Sequence, residues 1–157
     1  ALFIECTTDN INRTVANVRA IFNKYNGELG KNGSLEFLFK RMGVFTIDSN
    51  SINMVKEDLE MELIDGGLEE LDHLKNEDIY IAYTNFDDFG TMQKKMEELC
   101  ITPKNSEIQR IPLDTKKLDL DNSIKILNMI EKFEDDDDVQ QVFHNMEMSE
   151  ELINNIT

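Results

Sequence analysis

Leu2-Phe3-Ile4-Glu5-Cys6-Thr7-Thr8-Asp9-Asn10-Ile11-Asn12-Arg13-Thr14-Val15-Ala16 begins as a strand and passes into a helix across three polar residues. Leu2, Ile4 and Cys6 alternate with Phe3 and Glu5, the period of two that places them on opposite faces of a strand over 1–7. Thr8-Asp9-Asn10 is a helix start, with Asp9 placed to accept from the orphan amides of the first turn. Ile11, Val15, Val18, Ile21, Phe22 and Tyr25 recur at helical spacing and predict a helix over 10–26, closed by Gly27.

The rest of the chain extends this strand–helix unit. Residues 35–40 and 43–48 read as two strands joined by Lys40-Arg41-Met42-Gly43, which predicts an antiparallel hairpin. A helix over 53–65 follows, with Val55, Leu59 and Leu63 on one side and Met54, Met61 and Ile64 widening the stripe. Strands are predicted over 68–74 and 78–84. Asn85 then caps a helix over 86–99, with Asp87 and Asp88 in its first turn. A short strand covers 106–111. Leu120, Ile124, Leu127 and Ile130 predict a helix over 120–133. Asp135 to Asp138 form a loop before a strand over 139–143, and the tail from Ser149 stays unassigned. The outer pieces together give βαββαβ, the split ferredoxin-like order, and the middle piece nearly repeats it. The expected fold class is therefore α+β: two small ferredoxin-like α/β domains, one inserted into the other. The first domain would be discontinuous (1–50 plus 114–157) and the second continuous (51–113).

Hydrophobic residues make up 40% of the 157 and charged residues 31%, enough for packed cores and against bulk disorder. The net charge of −16 excludes a general attraction of the whole chain to nucleic acid or anionic lipid. The charge is uneven: residues 1–50 carry 6 basic and 5 acidic side chains, 51–113 carry 6 and 15, and 114–157 carry 4 and 12. A contact with a polyanion would fall on the first third, where Arg13, Arg19, Lys24, Lys31, Lys40 and Arg41 lie; the alternative is an ordinary solvated surface. No apolar run approaches a membrane span, and Ala1 to Ile4 lack the flanks of a signal peptide. Two cysteines, Cys6 and Cys100, make no disulfide framework, so a reducing cytoplasm is expected. The opening strand is already under way at residue 1, as in a piece of a longer protein.

Candidate chemistry is sparse. Gly27, Gly30 and Gly33 resemble a phosphate loop only superficially, because Lys31 is followed by Asn32 and then by a strand rather than a helix. Positive φ between helix and hairpin is the simpler role for these glycines. Asp135-Asp136-Asp137-Asp138 has oxygen ligands for a hard cation but neither the spacing nor the glycine of a calcium loop. His73 and His144 have no zinc-ligand partners at motif spacing. Cys6 reads as a buried strand thiol and Cys100 as a helix end. Ser34 and Ser123 lie in no nucleophile elbow. The expectation is no enzyme, no cofactor and no metal. The βαββαβ order is also that of the RNA-recognition domain, in which Phe3 and Phe45 would lie on the strands that stack bases. Gly43-Val44-Phe45-Thr46-Ile47-Asp48 lacks that domain's basic, aromatic pattern, so core packing is expected for both rings.

Several stretches carry a family resemblance: Glu5-Cys6-Thr7-Thr8-Asp9-Asn10-Ile11-Asn12-Arg13-Thr14-Val15-Ala16, Gly33-Ser34-Leu35-Glu36-Phe37-Leu38-Phe39 and Asp58-Leu59-Glu60-Met61-Glu62-Leu63-Ile64-Asp65. Tyr83-Thr84 with Asp88-Phe89-Gly90, Gln109-Arg110-Ile111-Pro112, and Asp137-Asp138-Val139-Gln140 with His144-Asn145 follow in order. The chain resembles the YebC/PmpR family along nearly its whole length. The resemblance implies three domains, of which this chain looks like the second and third, without the family's N-terminal helical domain. It implies gene-expression control by a DNA-binding transcriptional regulator, or alternatively by a ribosome-associated translation factor or translational activator touching ribosomal RNA and protein. It implies no enzymatic site. At −16 the chain alone is expected to bind DNA weakly.

Overall fold

Helix α1 (Ile11–Lys24) follows strand β1 (Leu2–Cys6) as the alternation and spacing predict. In the computed structural model, which describes all residues but Asn32, Ser34 and Thr157 (and only the backbone of Ile156), Asn10 caps this helix rather than Asp9. The Asn10 side chain accepts from the Arg13 amide at 3.1 Å. At the far end Asn26, not Gly27, takes the left-handed conformation at φ 61°. The amide of Gly27 then reaches back to the Phe22 carbonyl at 2.7 Å and that of Asn26 to Asn23, the bond pair that closes a helix with a reversed turn. Cys100 does the same at the end of α3 (Phe89–Glu98), with φ 58° and the Ile101 amide 2.8 Å from the Met96 carbonyl.

The remaining elements are β2 (Phe39–Asp48), α2 (Lys56–Ile64), β3 (Leu68–Leu74), β4 (Ile79–Asn85), β5 (Asn105–Pro112), α4 (Leu120–Glu134), β6 (Val139–His144) and α5 (Glu150–Ile156). The predicted hairpin at 35–48 does not exist: a 3-10 turn over Glu36–Leu38 leads into one ten-residue strand. Gly43 misled the reading because it looked like a turn residue. Its lack of a side chain serves a close approach inside the strand instead, since a Cβ there would lie 2.5 Å from Thr84 Oγ1 and 2.7 Å from Phe89 Cδ2. Asn85 does not cap a helix either. A 3-10 turn over Phe86–Asp88 intervenes, and the Asn85 side chain donates through Nδ2 to Glu69 Oε1 at 2.6 Å.

The chain divides into two compact units, 1–40 with 112–157 and 41–111. The inner unit holds a four-stranded sheet in the order β3-β4-β2-β5. Read from the other edge this is last, first, third, second, the ferredoxin-like arrangement of β2-α2-β3-β4-α3-β5. Met42 to Asp48 pair antiparallel with Asn85 to Ile79, and Leu68 to Leu74 pair with Thr84 to Ile79. Phe45, Ile47, Leu71, Tyr80 and Ala82 project from one face onto Leu59 and Leu63 of α2 and Met92 and Met96 of α3. Burying each of the larger side chains contributes on the order of 1.5–3 kcal/mol before the cost of ordering it, and Ala82 less.

The outer unit is built on a two-stranded sheet, β1 against β6, with Leu2 opposite His144 and Ile4 opposite Val142. Its α+β core gathers Val18 and Phe22 of α1 with Met129 and Phe133 of α4, and Leu2, Ile4, Val139 and Val142 pack on them. The Phe22 and Phe133 rings lie 4.9 Å apart at 58°. Two predicted stripes are corrected. Helix α1 buries Thr14, Val18 and Phe22, leaving Ile11 71% exposed; α4 buries Ser123, Met129, Ile130 and Phe133, leaving Leu127 half-buried. No helix among the described residues is long and apolar enough to cross a membrane.

Candidate nucleic-acid interface

Burial of Thr14, Val18 and Phe22 fixes the rotation of α1 and so decides where its cations go. At 100° per residue, Arg13 and Lys24 fall on one flank of the buried stripe, about three turns apart, and Arg19 falls on the other. Lys31 lies exposed in the loop after the helix and Lys40 exposed early in β2. Arg41 begins the inner unit, where its guanidinium stands 3.5 Å over the Phe86 ring, a cation–π contact. Lys24 leans toward the ring of Tyr25, 5.8 Å from its centre. Among the described residues, Arg19, Lys24, Lys31 and Lys40 form no ion pair with a carboxylate.

Arg13 is different. Its Nη2 donates to Asp138 Oδ1 at 3.0 Å and Oδ2 at 3.1 Å, and its Nε to Oδ2 at 3.3 Å; Asp9 accepts from Nη2 at 3.0 Å. The Thr14 hydroxyl lies 2.8 Å from Asp138 Oδ2 and 2.8 Å from Thr8 Oγ1. With one proton to give, it donates to the carboxylate, the stronger acceptor. The Asp138 carbonyl accepts from Thr7, and its amide donates to Asp136 Oδ1. The last aspartate of the acidic run is thus a clamp joining the β1–α1 turn to the start of β6, and Arg13 is occupied in holding it. Sequence reading placed Asp138 in a solvated loop or a cation site. Its pairing with a residue 125 positions away leaves no local signal.

The Thr14 hydroxyl bond, joined by the Arg13 fork, holds the Asp138 carboxyl below the ordinary carboxylate range. The folded value is depressed, so the stabilisation is present above the unfolded pKa of about 4 and is lost as pH falls through the folded value. Asp138→Asn should therefore lower stability at neutral pH and flatten the acid limb of the stability curve. Urea denaturation at a series of pH values checks this; an unchanged acid limb would show that Asp138 is not the responsible group.

The other candidates take quieter places. Phe45 is fully buried and stacks on Phe89 at 5.0 Å, so it offers no face to a base, and the half-buried Phe3 meets Phe39 edge-on at 6.2 Å. Of the loop glycines, Gly33 has φ 78°; Asn32 and Ser34 lie outside the described residues. His73 packs against Tyr80, and His144 Nδ1 accepts from the Met146 amide while burial pushes its pKa down. Burial, followed by Asp136, Asp138 and Glu5, pushes the half-buried Cys6 thiol up, away from a reactive thiolate. Among the described residues no group of three His, Cys, Asp or Glu is placed to hold a metal ion. A cleft of about 540 Å³ opens between β1, α1 and the glycine loop, lined by Leu2, Ile4, Val15, Val18, Phe22 and Met129.

The chain thus holds a discontinuous α+β unit with a clamped strand–helix junction and a cationic helix, and a ferredoxin-like unit inserted into it in sequence. The family model described as TACO1/YebC second and third domain matches residues 1–146, and the chain belongs to that family. A relative from Cytophaga hutchinsonii, called "Probable transcriptional regulatory protein", is 53% identical over 150 residues, covering 96% of this chain and 61% of the relative. One of the same description from Amoebophilus asiaticus is 44% identical over 146 residues, covering 93% and 59%. The chain thus spans about three fifths of the length of these curated relatives. The crystal structure of a conserved hypothetical protein from Aquifex aeolicus is similar in fold, with a TM-score of 0.81 at 30% identity over 98% of this chain and 62% of that one.

Proposed function

We propose that this chain is part of a regulator of gene expression that contacts nucleic acid, nominally duplex DNA, in the cytoplasm, without catalysing a reaction. This reading rests on the exposed cations Arg19, Lys24, Lys31 and Lys40 of the outer unit, which form no ion pair with a carboxylate among the described residues, on a chain that is elsewhere strongly acidic. Such side chains are suited to phosphate contacts that position a protein without reading bases. Relatives described as probable transcriptional regulatory proteins support the same reading. Arg13 leaves the interface set and becomes its scaffold, because it is held by Asp138 and Asp9. At −16 the chain supplies a minor share of the attraction, and a preceding first domain supplies the main one.

The test compares the longer protein, first domain included, with residues 1–157 at matched salt, on duplex DNA and in ribosome co-sedimentation. DNA binding by the longer protein, with much weaker binding by 1–157, is the expected result. Ribosome association without DNA binding would replace this reading with that of a translation factor. Binding to neither would leave a protein-interaction module.

A further inference from the structure

Helix α2 has an unusual outer face. Leu59 and Leu63 point inward and are fully buried. The opposite side presents Glu57, Asp58, Met61, Ile64 and Asp65 to solvent. Met61 is 70% exposed and Ile64 60%, and Val55 just before the helix is 61% exposed. Met61 and Ile64 are three apart and therefore neighbours on the helix surface. Glu57 lies one turn before Met61 on the same side, and Asp58 and Asp65 line the other edge of the pair.

Part of the surrounding charge is already matched. Lys95 Nζ lies 3.8 Å from Glu62 and 3.7 Å from Asp65, and Lys56 lies 3.7 Å from Glu60. Glu57 and Asp58 have no ion pair among the described residues. The inner unit as a whole carries 7 basic and 16 acidic side chains over 41–111. A short apolar ridge rimmed by unmatched carboxylates repels nucleic acid and anionic lipid alike. It also disfavours a second copy, since a two-fold contact through α2 would bring its own carboxylates together. Methionine suits such a surface because its side chain adapts to varied partners.

We propose that the outer face of α2 is a docking site for a cationic amphipathic segment of a partner protein, with apolar side chains seated on Met61 and Ile64 and Lys or Arg reaching Glu57 and Asp58. The site stands independently of the nucleic-acid contact proposed for α1, which lies in the other unit, and is read out without nucleic acid.

The probe is a synthetic Leu–Lys peptide of about five helical turns with its leucines on one stripe, against a peptide of the same composition with the leucines dispersed. Titration is followed by anisotropy and by amide chemical shifts of the 1–157 protein. The striped peptide is expected to bind about tenfold or more tighter than the dispersed one, with shifts concentrated on 55–65. Met61→Ser with Ile64→Ser should abolish that preference and leave dispersed-peptide binding unchanged; circular dichroism checks that this surface variant stays folded. Glu57→Gln with Asp58→Asn should reduce the salt dependence of striped-peptide binding. Equal binding of the two peptides, or an undiminished preference in the Met61/Ile64 variant, would overturn the proposal in favour of general attraction to an acidic protein. Concentration-dependent dimerisation lost on Met61→Ser would overturn it in favour of a self-association face.

Discussion

Phe133→Ala is expected to cost about 3–5 kcal/mol in chemical denaturation, the range for removing a large aromatic ring from a packed core. Phe133 is fully buried and stands 4.9 Å from Phe22, where α1, α4, β1 and β6 converge. Among the described residues the outer unit's sheet has two strands, so little neighbouring structure can collapse into the space left behind. Against a typical total of about 5–15 kcal/mol, such a loss should unfold a substantial fraction of the outer unit. A loss under about 1 kcal/mol would show that the ring is not the centre of that core.

Gly43→Ala is expected to destabilise the inner unit by about 1–3 kcal/mol, the usual cost of overpacking. The added methyl would meet Thr84 Oγ1 at 2.5 Å and the Phe89 ring at 2.7 Å. Phe89 cannot easily retreat because it stacks on the fully buried Phe45. Backbone strain plays no part, since Gly43 is not among the glycines at positive φ. Adding Thr84→Ala removes one of the two obstructions, so the double variant should lose less than the sum of the single losses. Strict additivity, or a neutral Gly43→Ala, would contradict the close approach of β2 to β4 at this point.

Most elements of the inner unit could be read because they carry local signals, such as the alternation of Ile79 to Tyr83 and the spacing of Phe89, Met92 and Met96, but its strand β2 was assigned to the outer domain. Gly43 was misread because glycine signals both a turn and a close approach, and only the partner strand distinguishes them. The phase of α4 was misread because Leu and Ile outweigh Ser and Met in any apolar count, whereas Ser123 and Met129 are buried together with Ile130 and Phe133, and Leu127 is only half-buried. Helix α5, with Leu152 buried, follows a stretch that left the tail unassigned. The cations of the candidate interface were visible as composition. Their sorting into clamped Arg13 and open Arg19 and Lys24 depends on Asp138, which no local pattern connects to α1.

If α1 touches phosphate through its open cations, as proposed, the salt dependence of binding shows it most directly. In the longer protein, Arg19→Ala with Lys24→Ala removes two cations without touching the Asp138 clamp. If both meet phosphate, the slope of log K against log salt on duplex DNA should become shallower by up to about 1.8, from ~0.9 per phosphate contact. An affinity and slope equal to those of the unaltered protein would contradict the account and remove α1 from the interface.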